Sequence, residues 1–161
     1  MASNIRVGTG FDIHRLVLER KLILGGVHVP FNMGLEGHSD GDVLIHAIID
    51  ALLGAAALGD IGIFFPVGDA QFANADSAAM LAMVKGWLTE RSYAIINIDS
   101  VIICERPKLA TLYPRMQVRL SEVLGIEANQ ISVKAKTAEG LGDIGKGDAI
   151  AAQACALIEQ F

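Results

Sequence analysis

An aspartate and a histidine stand two residues apart in the stretch GFDIHRL, residues 10–16. Side chains at i and i+2 of a strand point to the same face, so Asp12 and His14 would project together, opposite Phe11 and Ile13. Carboxylate oxygen and imidazole nitrogen both suit zinc and also acid–base work, but such a pair is equally at home on an exposed edge strand. A metal site therefore requires a third ligand.

A helical pattern further along the chain supplies a candidate. Asp42, His46 and Asp50 are each four residues apart, which stacks them on one helical face. A histidine in an apolar helix is often a core residue bonded to backbone, but an aspartate on either side could orient its second ring nitrogen as in a metal site. With Asp12 and His14, His46 would complete one oxygen and two nitrogen ligands. Three protein ligands and an open fourth position are typical of catalytic zinc.

Two glycine-rich stretches resemble nucleotide-binding motifs, but each lacks a residue that its motif requires. Residues 140–146, GLGDIGK, match a phosphate-binding loop, but Gly147 stands where the magnesium-binding hydroxyl is needed. The stretch GTGFDI lacks the third glycine of a dinucleotide-binding fingerprint. Neither stretch predicts a nucleotide site of those classes, although their glycines would let backbone amides approach an anion.

Apolar periodicity and turn residues predict the elements that must position these groups. The predicted strands are 4–14, two strands within KLILGGVHVPF joined by a Gly25-Gly26 turn, 93–107 ended by Pro107, and 131–139. The predicted helices are 42–58 capped by Ser39 or Asp40, 76–91 capped by Asp76 or Ser77, and 110–124 ended by Gly125. Residues 32–41 and 59–70 are predicted loops, and the last segment, 147–161, fits a helix or a strand.

The bulk composition predicts one globular α+β domain. The chain has 161 residues, 52% of them apolar, a mean hydropathy of +0.45 and a net charge of −5. Nucleic acid is not an expected partner, because no basic cluster is present to meet a phosphate backbone. Cys104 and Cys155 are distant in sequence and predict small buried side chains rather than a disulfide.

The same sequence predicts neither a membrane span nor a secretory signal. Asp50 interrupts the longest apolar run, and the first ten residues, MASNIRVGTG, lack an apolar core. A cytoplasmic location is expected, or a plastid or other organelle if a transit peptide has been removed.

Several stretches together resemble the 2-C-methyl-D-erythritol 2,4-cyclodiphosphate synthase family. They are GFDIH, LGGV, GHSDGDVLIHAIIDALLGAAALGDIG, FFP, ERPKL and VKAKTAEGLG followed by GKG, and they run in order along nearly the whole chain. The long run that begins at His38 is the most specific of them.

This resemblance implies a single domain over residues 1–161, with a mixed β-sheet packed on helices and a strand in the last segment. It implies a homotrimer with its sheets around a central axis and active sites between subunits. The implied activity is that of a phosphorus–oxygen lyase of non-mevalonate isoprenoid biosynthesis. It converts 4-diphosphocytidyl-2-C-methyl-D-erythritol 2-phosphate to 2-C-methyl-D-erythritol 2,4-cyclodiphosphate and CMP.

The resemblance also implies roles for individual residues. Asp12, His14 and His46 would hold a divalent metal, usually zinc, and Glu139 would hold Mg²⁺ or Mn²⁺ on the substrate diphosphate. His38 and Thr137 would assist the transition state. Lys146 stands where the family usually has arginine, and it keeps the charge without the bidentate fork. The substrate would contact Asp12, His14, His38, Ser39, Asp60, Ile61, Gly62, Phe65, Pro66, Asp69, Cys104, Pro107, Lys108, Leu109, Ala110, Lys136, Thr137, Glu139 and Lys146.

Two other functions fit the same residues. A metal-dependent phosphohydrolase would use a metal-bound hydroxide and release inorganic phosphate. A binding module without catalysis would hold a cytidine nucleotide without turning it over. Products and binding distinguish these alternatives from cyclisation.

Overall fold

Five strands form one mixed sheet in the computed structural model, which describes residues 4–161. The first three residues of the predicted domain lie outside the described residues. The strands are β1 (Ile5–Leu18), β2 (Leu22–Leu24), β3 (Val27–Val29), β4 (Met33–Leu35), β5 (Tyr93–Ile103), β6 (Ile131–Lys136) and β7 (Ala149–Gln160). The helices are α1 (Val43–Ala55), α2 (Ile61–Phe64), α3 (Ser77–Glu90), α4 (Tyr113–Leu124) and α5 (Gly142–Lys146).

The strand order in the sheet is β4-β1-β7-β5-β6. Strands β1 and β5 pair antiparallel with β7, whereas β5 and β6 pair in parallel after a crossover through α4. Helix α1 packs on β1 and β7, α3 contacts β5, and α4 contacts β6. A mixed sheet packed on helices confirms the predicted α+β fold.

Helix α1 lies directly on β1 because the strand has glycine at two helix-facing positions. A Cβ atom on Gly8 would lie 2.0 Å from the carbonyl oxygen of Ala51, and one on Gly10 would lie 2.0 Å from that of Ala47. Both distances are far inside van der Waals contact, so no larger residue fits without moving the helix. These two glycines belong to the stretch that resembled a dinucleotide fingerprint, and their role here is close packing.

The opposite face of β1 carries large apolar side chains that no other part of residues 4–161 covers. Ile5, Val7, Phe11 and Ile13 are 53%, 64%, 57% and 48% exposed. Phe11 and Ile13 therefore face away from the helices, as the alternation with Asp12 predicted. Such a cluster of exposed apolar side chains is typical of a protein–protein contact.

Several sequence predictions are confirmed. Gly25 and Gly26, with φ of 60° and 70°, form the two-residue turn between β2 and β3. Asp76 caps α3, and Gly125 ends α4 in the left-handed conformation. The ambiguous last segment is strand β7, which β1 and β5 flank on both sides.

Other boundaries were wrong. The predicted loop 32–41 contains the edge strand β4, and the predicted loop 59–70 contains α2, which Asp60 caps. The strand predicted to continue to Pro107 ends at Ile103, and the one predicted to reach residue 139 ends at Lys136. The helix predicted from residue 110 is a 3₁₀ turn until Tyr113. Short elements of this kind depend on tertiary contacts that periodicity does not encode.

The N-cap of α1 is Asp42, so the prediction of Ser39 or Asp40 was wrong. The Asp42 carboxylate accepts from the N–H of Ile45 at 3.1 Å and also from Gly25 and Gly26 at 2.9 and 2.6 Å. One buried side chain thus joins the start of α1 to the β2–β3 turn. Burial raises the pKa of Asp42 to about 6, against the lowering effect of these three donors.

Both cysteines are free, and only Cys104 is buried. The prediction that Cys155 is buried was wrong, because its side chain is exposed on β7 whereas those of its neighbours Ala154 and Ala156 are buried. Across residues 4–161, no helix has the length and apolar character needed to cross a membrane.

Replacing Gly10 with alanine should destabilise the protein strongly. The added Cβ meets backbone on α1, and overpacking typically costs about 1–3 kcal/mol, so we expect a loss near the top of that range or above it. The measurement is the free energy of unfolding in urea. Gly86→Ala is the matched control, because Gly86 is inside α3 with open space around its Cβ direction, and this change should stabilise by about 0.5–1 kcal/mol. Equal stability of both variants would contradict the close packing.

Candidate metal centre

Asp12, His14 and His46 converge between β1 and α1. His14 Nε2 lies 2.8 Å from Asp12 Oδ2, His46 Nδ1 lies 2.9 Å from the same oxygen, and the two nitrogens are 3.2 Å apart. Tetrahedral ligands about 2.0–2.1 Å from zinc lie about 3.3 Å from one another. The three atoms therefore form one face of a slightly compressed coordination tetrahedron, and the cluster can hold a metal ion.

The remaining ring nitrogens have partners that leave the ligand atoms facing each other. His14 Nδ1–H donates to the carbonyl oxygen of Glu36 at 2.5 Å. His46 Nε2 lies 3.0 Å from Ser77 Oγ and 3.1 Å from Ser39 Oγ. Partners of this kind fix the orientation of histidine ligands in metal sites.

The prediction that an aspartate on α1 orients His46 was wrong. The Asp42 carboxylate points to the β2–β3 turn, and the Asp50 carboxylate accepts from the N–H of Ile61 at 2.7 Å. Side chains four residues apart share a helical face, but here each one reaches a different neighbouring element. Asp50 instead anchors the first turn of α2.

Hydrogen bonds within the cluster shift the pKa values of Asp12 and His14. Partial burial alone would raise the pKa of Asp12, but hydrogen bonds from His14 and His46 outweigh it and hold the pKa well below its usual range. Burial opposes protonation of His14, yet the hydrogen bond and charge of Asp12 raise the pKa of His14 overall. Asp12 is therefore ionised at neutral pH, as a metal ligand must be.

The cluster opens onto a cavity of about 190 Å³. Predicted substrate residues His38, Ser39, Ile61, Gly62 and Phe65 line it together with the three ligands. The walls also include Val67, Phe72 and Met80, which sequence reasoning missed because nothing in their spacing links them to the cluster.

The loop that carries His38 is fixed from two sides. His38 Nε2 lies 3.0 Å from the carbonyl oxygen of Asp69, which joins this loop to the segment between α2 and α3. Arg20 donates to the carbonyl oxygens of Gly37 and Ser39 at 2.9 and 2.7 Å. Asp60 and Pro66 lie on the segment that includes α2, next to the cavity-lining residues.

A second group of predicted site residues lies outside the lining of that cavity. The N–H of Cys104 donates to the carbonyl oxygen of Lys136 at 2.9 Å, which joins the ends of β5 and β6. Thr137 Oγ1 donates to Glu139 Oε1 at 2.5 Å, and Glu139 has a φ of 53°. The remaining members, on the loop after β5 and on α5, are Pro107, Lys108, Leu109, Ala110 and Lys146.

Strand register gives the separation of the two groups. Lys136 pairs with Ile103, Ile103 pairs with Ala151, and Ala151 pairs with Ile13. Lys136 and Ile13 are thus at the same level of the sheet, three strand spacings or about 14 Å apart. Within one chain, the candidate metal ligands lie beside the cavity, whereas Thr137 and Glu139 follow strand β6, three strands away in the sheet.

Fold and site together define an α+β protein whose strand–helix contact forms a cluster able to hold a metal ion beside a small cavity. The YgbB family model matches residues 5–159, and the chain belongs to this family.

Relatives and solved structures agree with that membership. The chain is 54% identical over 156 residues to 2-C-methyl-D-erythritol 2,4-cyclodiphosphate synthase of Cyanothece sp., with 97% of each chain covered. It is 51% identical over 154 residues to the synthase of Clostridium perfringens, covering 96% of this chain and 99% of the other. These similarities confirm the resemblance that the sequence motifs indicated.

Two solved structures match the fold. A Plasmodium falciparum IspF–CDP complex has a TM-score of 0.86 and 37% identity, covering 99% of both chains. The bifunctional IspDF of Campylobacter jejuni has a TM-score of 0.96 and 39% identity, covering 99% of this chain and 43% of that one.

His46→Ala should remove most of the bound zinc while the fold persists. The change deletes one of three ligands and leaves the sheet intact, so the zinc content of purified protein should fall well below one ion per chain. The measurement is elemental analysis, with circular dichroism to follow the fold. His28→Ala is the control, because this exposed histidine on β3 lies outside the cluster. Full zinc occupancy in His46→Ala would remove His46 from the ligand set.

Proposed function

We propose that this chain converts 4-diphosphocytidyl-2-C-methyl-D-erythritol 2-phosphate to 2-C-methyl-D-erythritol 2,4-cyclodiphosphate and CMP, as a phosphorus–oxygen lyase. The observation that carries this proposal is the Asp12–His14–His46 cluster beside a cavity lined by the residues expected to meet the substrate. The names of the relatives support the reaction, and the relatives solved with CDP support a cytidine ligand.

The proposed reaction is an internal displacement at phosphorus. An oxygen of the 2-phosphate forms a bond to the β-phosphorus. The bond from that phosphorus to the oxygen bridging to the α-phosphate breaks, and CMP leaves with the electron pair. The nucleophile is already an ionised oxygen, so orientation and charge neutralisation matter more than a general base.

The chain's own groups fit these needs. A zinc ion bound by Asp12, His14 and His46 would act as a Lewis acid on a phosphate oxygen. His38 and Ser39 lie at the cavity, where they can donate to phosphate oxygens. Ile61 and Gly62, at the start of α2, line the same space, where the erythritol part of the substrate would lie.

Glu139 is proposed as the ligand of Mg²⁺ or Mn²⁺ when the diphosphate is present. Magnesium usually binds through one or two carboxylates and substrate phosphates, so a single glutamate suffices. The left-handed backbone at Glu139 is costly for a residue other than glycine, and such strain clusters at functional sites. Thr137 holds the carboxylate in place.

The nucleotide half of the site is proposed at the ends of β5 and β6. Buried Cys104 and the turn from Pro107 to Ala110 offer a fixed backbone for the cytosine edge. Lys136 is at the end of β6 beside Cys104, and Lys146 ends α5 next to Gly147, which lies close to Arg106. Both lysines are cations that suit phosphate oxygens.

A homotrimer would join the two halves. Thr137 and Glu139 are about three strands from the metal ligands in one chain, so a neighbouring subunit has to supply one half of each site. The uncovered apolar face of β1 provides the contact surface. The expected cytoplasmic location stays a prediction.

Product analysis tests the function. Incubation of the zinc- and magnesium-loaded protein with the proposed substrate should yield CMP and the cyclic diphosphate in equal amounts, with no inorganic phosphate, by ³¹P nuclear magnetic resonance. Release of inorganic phosphate would indicate a phosphohydrolase. Tight CMP binding without turnover would indicate a binding module.

Glu139→Gln should leave zinc content unchanged and lower kcat on the order of 100-fold, because charge builds on the leaving oxygen mainly in the transition state. KM should change less than kcat. The measurement is kcat and KM against magnesium concentration. Glu90→Gln is the matched control, since this exposed carboxylate is at the far end of α3. Wild-type kcat with the same magnesium dependence in Glu139→Gln would remove Glu139 as the ligand.

A further inference from the structure

We propose that Ser77 is a positioning residue that, together with Asp40, holds the His46 imidazole in the form that presents Nδ1 to a metal ion. This inference rests on the metal-binding role proposed for the cluster. Ser77 is the first residue of α3 and is completely buried, more than thirty residues from any ligand in sequence. Ser77 does not itself line the cavity, but its hydroxyl lies 3.0 Å from Nε2 of His46, which does, so its influence on the site passes mainly through His46.

Asp40 determines which way the Ser77 hydroxyl points. The Asp40 carboxylate accepts from the backbone N–H of Asp42 at 3.1 Å and from that of Ser77 at 3.1 Å. Its third contact is Ser77 Oγ at 2.5 Å. A carboxylate accepts only, so the Ser77 hydroxyl has to donate its single proton to Asp40.

The direction of that proton defines the bond to His46. Because the Ser77 hydroxyl hydrogen is directed at Asp40, only lone pairs of Oγ remain for His46 Nε2 at 3.0 Å. Nε2 therefore donates, and it carries a hydrogen. A neutral imidazole with hydrogen on Nε2 has its free lone pair on Nδ1, which is the atom that faces Asp12 and His14.

A partner that favours hydrogen on Nε2 of His46 is needed, because Asp12 favours the tautomer with hydrogen on Nδ1. Asp12 Oδ2 lies 2.9 Å from His46 Nδ1 and, without a metal ion, favours a hydrogen on that nitrogen. Ser39 Oγ, at 3.1 Å from Nε2, does not oppose Asp12 in the same way, because its hydroxyl can donate as well as accept. Ser77 donates its hydroxyl hydrogen to Asp40 and can only accept from His46, so it is the partner that favours hydrogen on Nε2 of His46.

Ser77→Ala should weaken zinc binding by about 10- to 100-fold, the range typical for loss of a group that orients a metal ligand. Zinc dissociation constants would be measured by chelator competition. In the zinc-loaded protein, the His46 Nε2–H resonance should exchange faster with water in Ser77→Ala than in the wild type. Ser39→Ala should change both quantities less, because the Asp40–Ser77 pair is intact.

Ser100→Ala is the matched control. It removes another buried serine, which donates to the carbonyl oxygen of Ser132 at 2.8 Å on the sheet, and it should leave the zinc dissociation constant unchanged. If Ser77→Ala does not fold, Asp40→Asn provides the test. The amide turns one acceptor into a donor, so zinc binding should weaken by about tenfold.

Two results would overturn the proposal, and they are distinguishable. Zinc affinity in Ser77→Ala, or in Asp40→Asn if the former does not fold, equal to that of Ser100→Ala would remove the positioning role and leave the metal site intact. A wild-type protein that binds no zinc would remove the metal site and the positioning role together.

Discussion

The contact between α1 and β1 is the constraint on which the site depends. Gly8 and Gly10 let the helix backbone approach the strand so closely that a single added carbon would collide with a carbonyl oxygen. That approach places His46, one turn into α1, over Asp12 and His14 two and four residues beyond Gly10. The three candidate ligand atoms then lie 2.8–3.2 Å apart, and Asp12, His14 and His46 all keep negative φ angles.

Polar side chains around the start of α1 hold the surrounding loops to this contact. Asp42 binds the β2–β3 turn, Asp40 binds the start of α3, and Asp50 binds the start of α2. Each carboxylate accepts backbone N–H groups at the beginning of a helix or turn, where such donors lack partners. The candidate metal ligands are therefore surrounded by short connections that are buried or partly buried, and the elements so connected form much of the cavity wall.

The sequence predicted the parts of the site that depend on local spacing. The two-residue spacing of Asp12 and His14 and the placement of His46 on an apolar helix were sufficient to propose the ligand set, since both periodicities follow from backbone geometry. The partners of His46 were not predictable in this way. Ser77 reaches it only because α3 packs beside α1, and no local pattern encodes that packing.

In the fold, too, features set by local sequence were predictable, whereas features that depend on tertiary packing were not. Glycine positions predicted the β2–β3 turn and the end of α4, because a left-handed backbone conformation is a local property. The short elements β4 and α2 were missed, because three or four residues carry too little periodicity and depend on neighbours for their hydrogen bonds. The resemblance assigned the last segment to a strand, where alternating alanines alone allowed either structure.

X-ray absorption at the zinc edge of the zinc-loaded protein would show whether this strand–helix contact forms a catalytic type of metal site. We expect the zinc to be bound by about four nitrogen and oxygen atoms near 2.0–2.1 Å, with the outer-shell pattern of two imidazoles and no sulfur. A sulfur shell near 2.3 Å, or a spectrum without imidazole, would contradict this expectation.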